Sequence, residues 1–280
     1  MKLRPLFTQA LALAAFGVAF TACNKPQPTP EPEPEPTPDP QDGSRKTFTV
    51  NGVSFVMIQV EGGTFQMGND KDSDAPLHKV TLSNYYMAET EVTQELYQAV
   101  MGSNPSYFKA EGYPADNVTW DMWQAFITKL NELTGATFKV PTEAQWEYAA
   151  RGGKLDAGYT YAGSNTIDEV ACYAGNSELT QGFGPDGLMS SSRKVKSYKP
   201  NQLGLYDMTG NLTEFCADWY DKSYYTVSPE QDPTGPESGA GRVTRGGSWF
   251  LVGSYSYNTF RDQYKNLDTP SLHLGLRLAM

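Results

Sequence analysis

Beyond Gly153, glycine, proline, asparagine and aspartate occur everywhere, and few runs keep a helical or a strand period. No other feature limits the fold as strongly. Irregular chain leaves backbone polar groups with no ladder to join, so a domain of this size needs something to hold its loops. Bound metal or extensive loop packing are the usual answers. From Thr47 onward there is no internal repeat and no break in composition, so residues 47–280 read as one domain.

Regular structure is predicted mainly ahead of Gly153. Phe48–Val50 and Val53–Val60 read as strands joined by the Asn51-Gly52 turn, a strong short-range hairpin signal. Val80–Leu82 and Tyr85–Met87 read as further short strands. Three helices carry their own boundary signals. Thr93 caps one that runs to Met101 and ends at Gly102. Thr119 caps a second, in which Trp123, Phe126, Ile127, Leu130 and Leu133 form a core-facing stripe before Gly135. Thr142-Glu-Ala-Gln145 is a capping box that opens Trp146 to Arg151, closed by Gly152-Gly153.

The N-terminus reads as a secretory signal over residues 1–22, with Lys2 and Arg4 ahead of an apolar stretch from about Ala10 to Phe20. The stretch is too short for a membrane span. It stops at Phe20-Thr21-Ala22-Cys23, which resembles the lipobox of bacterial lipoproteins and makes Cys23 the candidate lipidation site. An ordinary signal peptide with an incidental cysteine is the alternative. Over residues 23–46 follows an acidic, proline-rich tether in which every second residue from Pro26 to Pro40 is proline. Proline fixes φ and donates no hydrogen bond, so the tract should be an extended spacer, holding the domain roughly 40–50 Å from a membrane at about 3 Å per residue. The expected location is the bacterial cell envelope, with the protein lipid-anchored at the outer membrane.

The formal net charge of -10 has a partly local origin, since Glu31, Glu33, Glu35, Asp39 and Asp42 lie in or beside the tether. An acidic domain argues against nucleic acid as a partner. Apart from Cys23 there are only Cys172 and Cys216, in a compartment that permits a disulfide, and spacing alone does not decide whether they pair.

Six segments then occur in a telling order: Val60-Glu-Gly-Gly-Thr-Phe-Gln-Met-Gly68, Glu91-Val-Thr93, Val140-Pro-Thr-Glu-Ala-Gln-Trp-Glu-Tyr-Ala-Ala-Arg-Gly-Gly153, Asn201-Gln-Leu-Gly-Leu-Tyr-Asp-Met-Thr-Gly-Asn211, Arg245-Gly-Gly-Ser-Trp249 and Leu274-Gly-Leu-Arg-Leu278. Together they resemble the formylglycine-generating enzymes, or sulfatase-modifying factors, over essentially the whole of Thr47 to Met280. The resemblance implies an α+β domain of variant C-type-lectin-like fold, with little regular secondary structure and with structural calcium. At the matching calcium site the family uses the side chains at Asp207 and Glu214 and the carbonyls of Gly210 and Leu212. Two carboxylates around a glycine turn suit a hard cation that wants six to eight oxygens. A second family site matches less well: Asp186 and the Leu188 carbonyl fit, but Cys172 stands where the family has asparagine, and a thiol is a poor calcium ligand.

The family's enzymes bind copper(I) between two thiolates, activate oxygen and convert a substrate cysteine to formylglycine. Those thiols lie three and eight residues after the serine of the Gly-Gly-Ser-aromatic run. Counted from Ser248, the positions hold Leu251 and Ser256. Leucine cannot ligate a metal and serine offers a hard, neutral oxygen, whereas copper(I) selects soft thiolates. Copper and the copper oxidase mechanism are therefore not expected, and no other catalytic set is readable. His78 and His273 lack partners at ligand spacing, nothing supports a Ser–His–acid triad at Ser248, and no P-loop or dinucleotide fingerprint occurs.

The expected function is a catalytically inactive binding module for a protein, peptide or glycan. Ser248, Trp249, Tyr255, Tyr257 and Arg261 are the candidate cleft residues, and the aromatics suit a contact face. The alternatives are a sulfatase activator or oxidoreductase of the formylglycine-generating family working by a non-copper route, a structural subunit of an envelope machine, or the variable target of a diversity-generating retroelement. For the last, residues Phe250 to Phe260 contain none of Lys, Glu, Gln, Met or Trp, the types that adenine-directed change of AAY codons cannot reach.

Overall fold

The computed structural model describes residues 44–177, 180–181, 188–189 and 191–280, with the backbone alone for 180–181 and 188–189. Cys23, the tether up to residue 43 and Asp186 lie outside the described residues, while Arg45 and Lys46, expected in the tether, belong to the first strand.

The chain opens with strands β1 (Arg45–Val50) and β2 (Val53–Val60), paired in register from Arg45 opposite Ile58 to Val50 opposite Val53. Asn51 and Gly52 both take positive φ, 48° and 86°, so the two-residue turn has the hand that matches strand twist. Strands β3 (Gly63–Met67) and β4 (His78–Leu82) form their own ribbon, while β5 (Tyr85–Ala88) returns to pair with β2. The C-terminus closes this region: Met280 and Tyr86 exchange backbone bonds of 2.8 and 2.9 Å.

Helices α1 (Gln94–Met101), α2 (Trp120–Thr134) and α3 (Glu143–Ala150) begin at Thr93, Thr119 and Thr142, whose hydroxyls accept from Leu96, Met122 and Gln145 N–H. Left-handed Gly102 and Gly135 end the first two, at φ 83° and 69°. Tyr97 of α1 stacks on Phe126 and meets Trp123 edge-on, both at 5.4 Å, and this aromatic knot fills the core beneath β1 and β2. Leu133, read as part of the same stripe, is instead 49% exposed, because the helix ends a turn beyond the last position covered by the core.

Helix α3 has no solvent face. All eight of its residues are buried, including Glu143, Gln145 and Glu147. Carboxylates are buried at such cost only when paired; Glu143 and Glu147 meet Arg261 and Arg245 from distant chain, and Glu147 also meets Arg151 one turn on. The remaining strands, all short except β10, are β6 (Ala171–Cys172), β7 (Thr180–Gln181), β8 (Leu188–Met189), β9 (Thr209–Gly210), β10 (Thr213–Trp219), β11 (Arg242–Arg245), β12 (Asp262–Tyr264) and β13 (Leu274–Gly275). The largest of the later sheets runs β12-β11-β10-β13, with β13 parallel to β10.

Buried side chains hold much of the irregular chain by reaching backbone carbonyls. Asn201 donates to Ala149 O at 2.7 Å, and Arg277 donates to Ala88 O at 2.9 Å and Tyr206 O at 2.7 Å. Loop packing of this kind answers the demand that the sequence sets. Among the described residues no helix is long and apolar enough to cross a membrane.

Candidate functional site

Strand β11 delivers the chain to two glycines, Gly246 and Gly247, at φ 94° and 70°. This consecutive left-handed pair needs glycine, and a side chain on Gly247 would collide with the Ser256 hydroxyl. Ser248 is fully buried behind the turn. Trp249 packs edge-on to Phe108 at 5.6 Å and donates its indole N–H to Leu272 O at 3.1 Å. The chain then surfaces. Phe250 and Val252 are 61% and 58% exposed, and Tyr255 and Tyr257 are 39% and 40% exposed.

Of the two positions that match the family's cysteines, Leu251 lines a cleft of about 120 Å³ together with Thr244, Tyr255, Phe260 and His273. Ser256 lies behind it, 1% exposed, its Oγ buried without a hydrogen-bond partner. His273 stacks on Phe250 at 5.8 Å, and burial lowers its pKa, which favours the neutral ring. A neutral imidazole, an aliphatic side chain and a buried hydroxyl supply neither a soft metal site nor an activated nucleophile.

The candidate cleft residues divide. Tyr255 lines the Leu251 cleft, whereas Tyr257 lines a separate groove. Ser248, Trp249 and Arg261 line neither. Arg261 is 5% exposed and grips Glu143 of α3 through two bonds of 2.8 Å, Nε to Oε1 and Nη2 to Oε2. It also donates to Asp74 O and Asp221 O and lies over the rings of Tyr220 and Tyr225. Arg245 makes the parallel connection to Glu147. An arginine three places beyond Asn258 in a surface loop reads as a cleft residue; its partner lies 118 residues away.

The turn matched to the family's calcium site is buried throughout. Asp207, at φ 58°, is 4% exposed and accepts from Lys196 N–H at 2.8 Å; burial pushes its carboxyl up to about 6. Glu214 takes two N–H groups of Arg277 and the Trp146 indole, at 2.7 to 3.1 Å. Glu91, of the Glu91-Val-Thr93 segment and not among the residues the resemblance assigns to calcium, borders the same turn. It accepts from Leu212 N–H at 2.8 Å and Asn211 Nδ2 at 2.6 Å, and burial, then the charges of Asp207 and Glu214, hold its pKa well above the carboxylate range.

Three buried carboxylates thus share a region in which Arg277 is the buried cation. The surplus negative charge and the oxygen donors of this turn suit a hard cation better than a soft one. Glu214 already has both oxygens engaged, so Asp207 and the Gly210 and Leu212 carbonyls would carry the ion. Among the described residues no three Asp, Glu, His or Cys side chains converge closely enough to hold a metal unaided. At the second predicted site, Leu188 is described only as backbone in β8.

Cys172 and Cys216 are both free and buried, in different clusters of the core. Burial pushes the Cys172 thiol up to about 12 and raises Cys216 well above its ordinary value. Neither is a thiolate near neutral pH. His78 packs on Tyr225 at 4.4 Å, a packing role.

The sulfatase-modifying factor enzyme 1-like domain model matches residues 47–280. A protein of Paenibacillus barcinonensis described as chaperone protein LppX is 34% identical over 236 residues, covering 70% of this chain and 79% of its own. The formylglycine-generating enzyme of Streptomyces coelicolor is 31% identical over 282 residues, covering 79% of this chain and 88% of its own. Among solved structures, Treponema denticola variable protein 1 superposes with a TM-score of 0.74 at 35% identity, covering 84% of this chain and 98% of that one. These likenesses carry the α+β, C-type-lectin-like fold expected from the motifs.

Proposed function

This chain belongs to the sulfatase-modifying factor enzyme 1-like domain family, and from that premise we propose that it is a catalytically inactive, lipid-anchored binding module of the bacterial envelope. One observation carries the reading. The turn of the family's active-site strand is kept, while its two thiol positions hold Leu251 and Ser256, one facing a small cleft and the other buried. In place of a reactive centre the loop presents Phe250, Val252 and Tyr255, an apolar face of the kind that marks protein contact. The likeness to a protein described as a chaperone supports a protein partner. Cys23 would hold the chain at the outer membrane, with the tether as spacer. Asp207 with the carbonyls of Gly210 and Leu212 would hold a calcium ion, which supplies positive charge to a buried acidic turn.

The likeness to Treponema denticola variable protein 1 supports a narrower form, in which Phe250–Phe260 is a diversified ligand-binding segment. A near-copy of that segment beside a reverse transcriptase gene would establish it, and absence of both would end it.

The test of the main reading is oxygen-dependent conversion of a Cys-X-Pro-X-Arg peptide with copper(I) supplied, followed by mass spectrometry. Wild type is expected to give no product, and Leu251→Cys/Ser256→Cys is expected to gain activity. Turnover by wild type would overturn the assignment and favour an oxidoreductase or sulfatase activator working by a non-copper route.

A further inference from the structure

Beyond Tyr257, away from the Leu251 cleft, lies an open groove of about 470 Å³, within the range of small-ligand sites. Its two aromatic walls are Tyr159 and Tyr257, each exposed by about two-fifths, and Tyr257 rests on Tyr161 at 5.5 Å. One edge is preformed by Asn69. Its Oδ1 accepts from the backbone of Lys71 and Asp72 at 2.8 and 2.9 Å, and its Nδ2 donates to Asp72 at 2.8 Å and to Thr259 at 3.4 Å. Arg151, anchored on Gly68 O and Glu147, also lines the groove.

Asn258 stiffens the groove wall. It lines the groove at 3% exposure and is fixed from three sides. Its N–H donates to Thr160 O at 3.0 Å, its Nδ2 donates to Tyr159 O at 3.0 Å, and its own carbonyl accepts from Arg245 at 3.0 Å. Its Oδ1 nevertheless has no hydrogen-bond partner. A buried acceptor held rigidly and left unmet is costly unless something supplies a donor. This atom is enclosed by the protein, so ligand contact falls to Tyr159, Tyr257 and the polar side chains of the rim.

We propose that this groove binds a neutral oligosaccharide. The lining mixes acceptors (Asp70, Asp72, Asp156) with donors (Lys71, Arg151) and side chains that serve as both, so neither a strong anion nor a cation is matched. Pyranose rings offer hydroxyls that donate and accept around their edge and C–H faces that pack on tyrosine. None of the lining residues lies in a strand, so the groove has no free edge on which a peptide backbone could extend. The site is separate from the apolar face of Phe250, Val252 and Tyr255 and stands or falls independently of it.

The test is ligand-observed NMR and calorimetry of the full chain against an array of neutral hexasaccharides of gluco, manno, galacto, xylo and N-acetylglucosamine configuration. At least one class is expected to bind. Tyr159→Ala and Tyr257→Ala should each weaken it about tenfold or more, Tyr257→Phe should restore most of the loss, and Phe250→Ala should leave it unchanged. Circular dichroism and melting curves confirm that each variant is folded. Absence of binding across the array overturns the proposal, as does binding that survives both alanine substitutions or occupancy of the groove by a peptide instead. Loss on Phe250→Ala alone would place the sugar on the apolar face and overturn the groove assignment as well.

Discussion

Arg261→Met should destabilise the domain severely without acting through any ligand. Arg261 is 5% exposed as a residue, and its guanidinium makes two 2.8 Å bonds to Glu143, itself 1% exposed. Methionine covers much of the aliphatic stem but supplies no donor. Glu143 then keeps its backbone bond to Asp218 and a distant Arg245 Nε at 3.8 Å, and the carbonyls of Asp74 and Asp221 lose their donor. Removing one member of a buried ion pair costs about 3–5 kcal/mol. For a domain of this size each kcal/mol is worth about 2–4 °C, so the melting temperature should fall by roughly 10 °C. Guanidinium denaturation of the purified protein measures the free energy, and thermal melts measure the shift. Arg261→Met/Glu143→Gln should recover much of the loss, since the stranded charge is gone. A loss under about 1 kcal/mol, the scale of an exposed pair, would refute the reasoning and return Arg261 to the list of ligand-contacting residues.

Asp218 is buried and accepts from Glu143 N–H; burial, then the Glu143 charge, raises its pKa from 3.8 to about 7. A folded pKa above the unfolded one means its stabilising contribution is present below pH 3.8 and lost as pH rises through about 7. Asp218→Asn, which keeps an acceptor, should therefore raise stability by about 1–3 kcal/mol above that range and flatten the pH profile of chemical denaturation. Cys172 and Cys216 should resist iodoacetamide in the folded protein and label fully after denaturation, since both thiols are buried and protonated; mass spectrometry of labelled peptides reads this directly, and rapid labelling of either would refute it. Chelation should lower the melting temperature of wild type and not of Asp207→Asn, and added calcium should reverse the effect; identical shifts in both proteins would place the ion elsewhere.

The features legible in the sequence are those whose physics is local. Asn51-Gly52 specifies the β1–β2 turn because few other pairs tolerate two consecutive positive φ angles. Thr93, Thr119 and Thr142 mark three helix starts because a hydroxyl at that position meets an N–H two or three residues on, whatever else surrounds it. The absence of thiols at positions 251 and 256 is likewise plain from the chain alone, since no packing can turn leucine into a copper ligand.

Tertiary structure decided everything that rests on pairing across the chain. Arg261 reads like a surface cleft residue until Glu143 appears beside it from α3, and Arg277 finds Glu214 from 63 residues away. Tyr255 and Tyr257 sit two residues apart and line different cavities, because the chain turns between them as Ser256 is drawn inward onto Gly247. Glu91 joins Asp207 and Glu214 only when the loops close, and α3 becomes fully buried only when arginines arrive from β11 and beyond to neutralise it. Caps and turns are chosen within a few bonds of themselves, so sequence alone determines them; a buried charge is defined by its partner, and only the fold brings partners together.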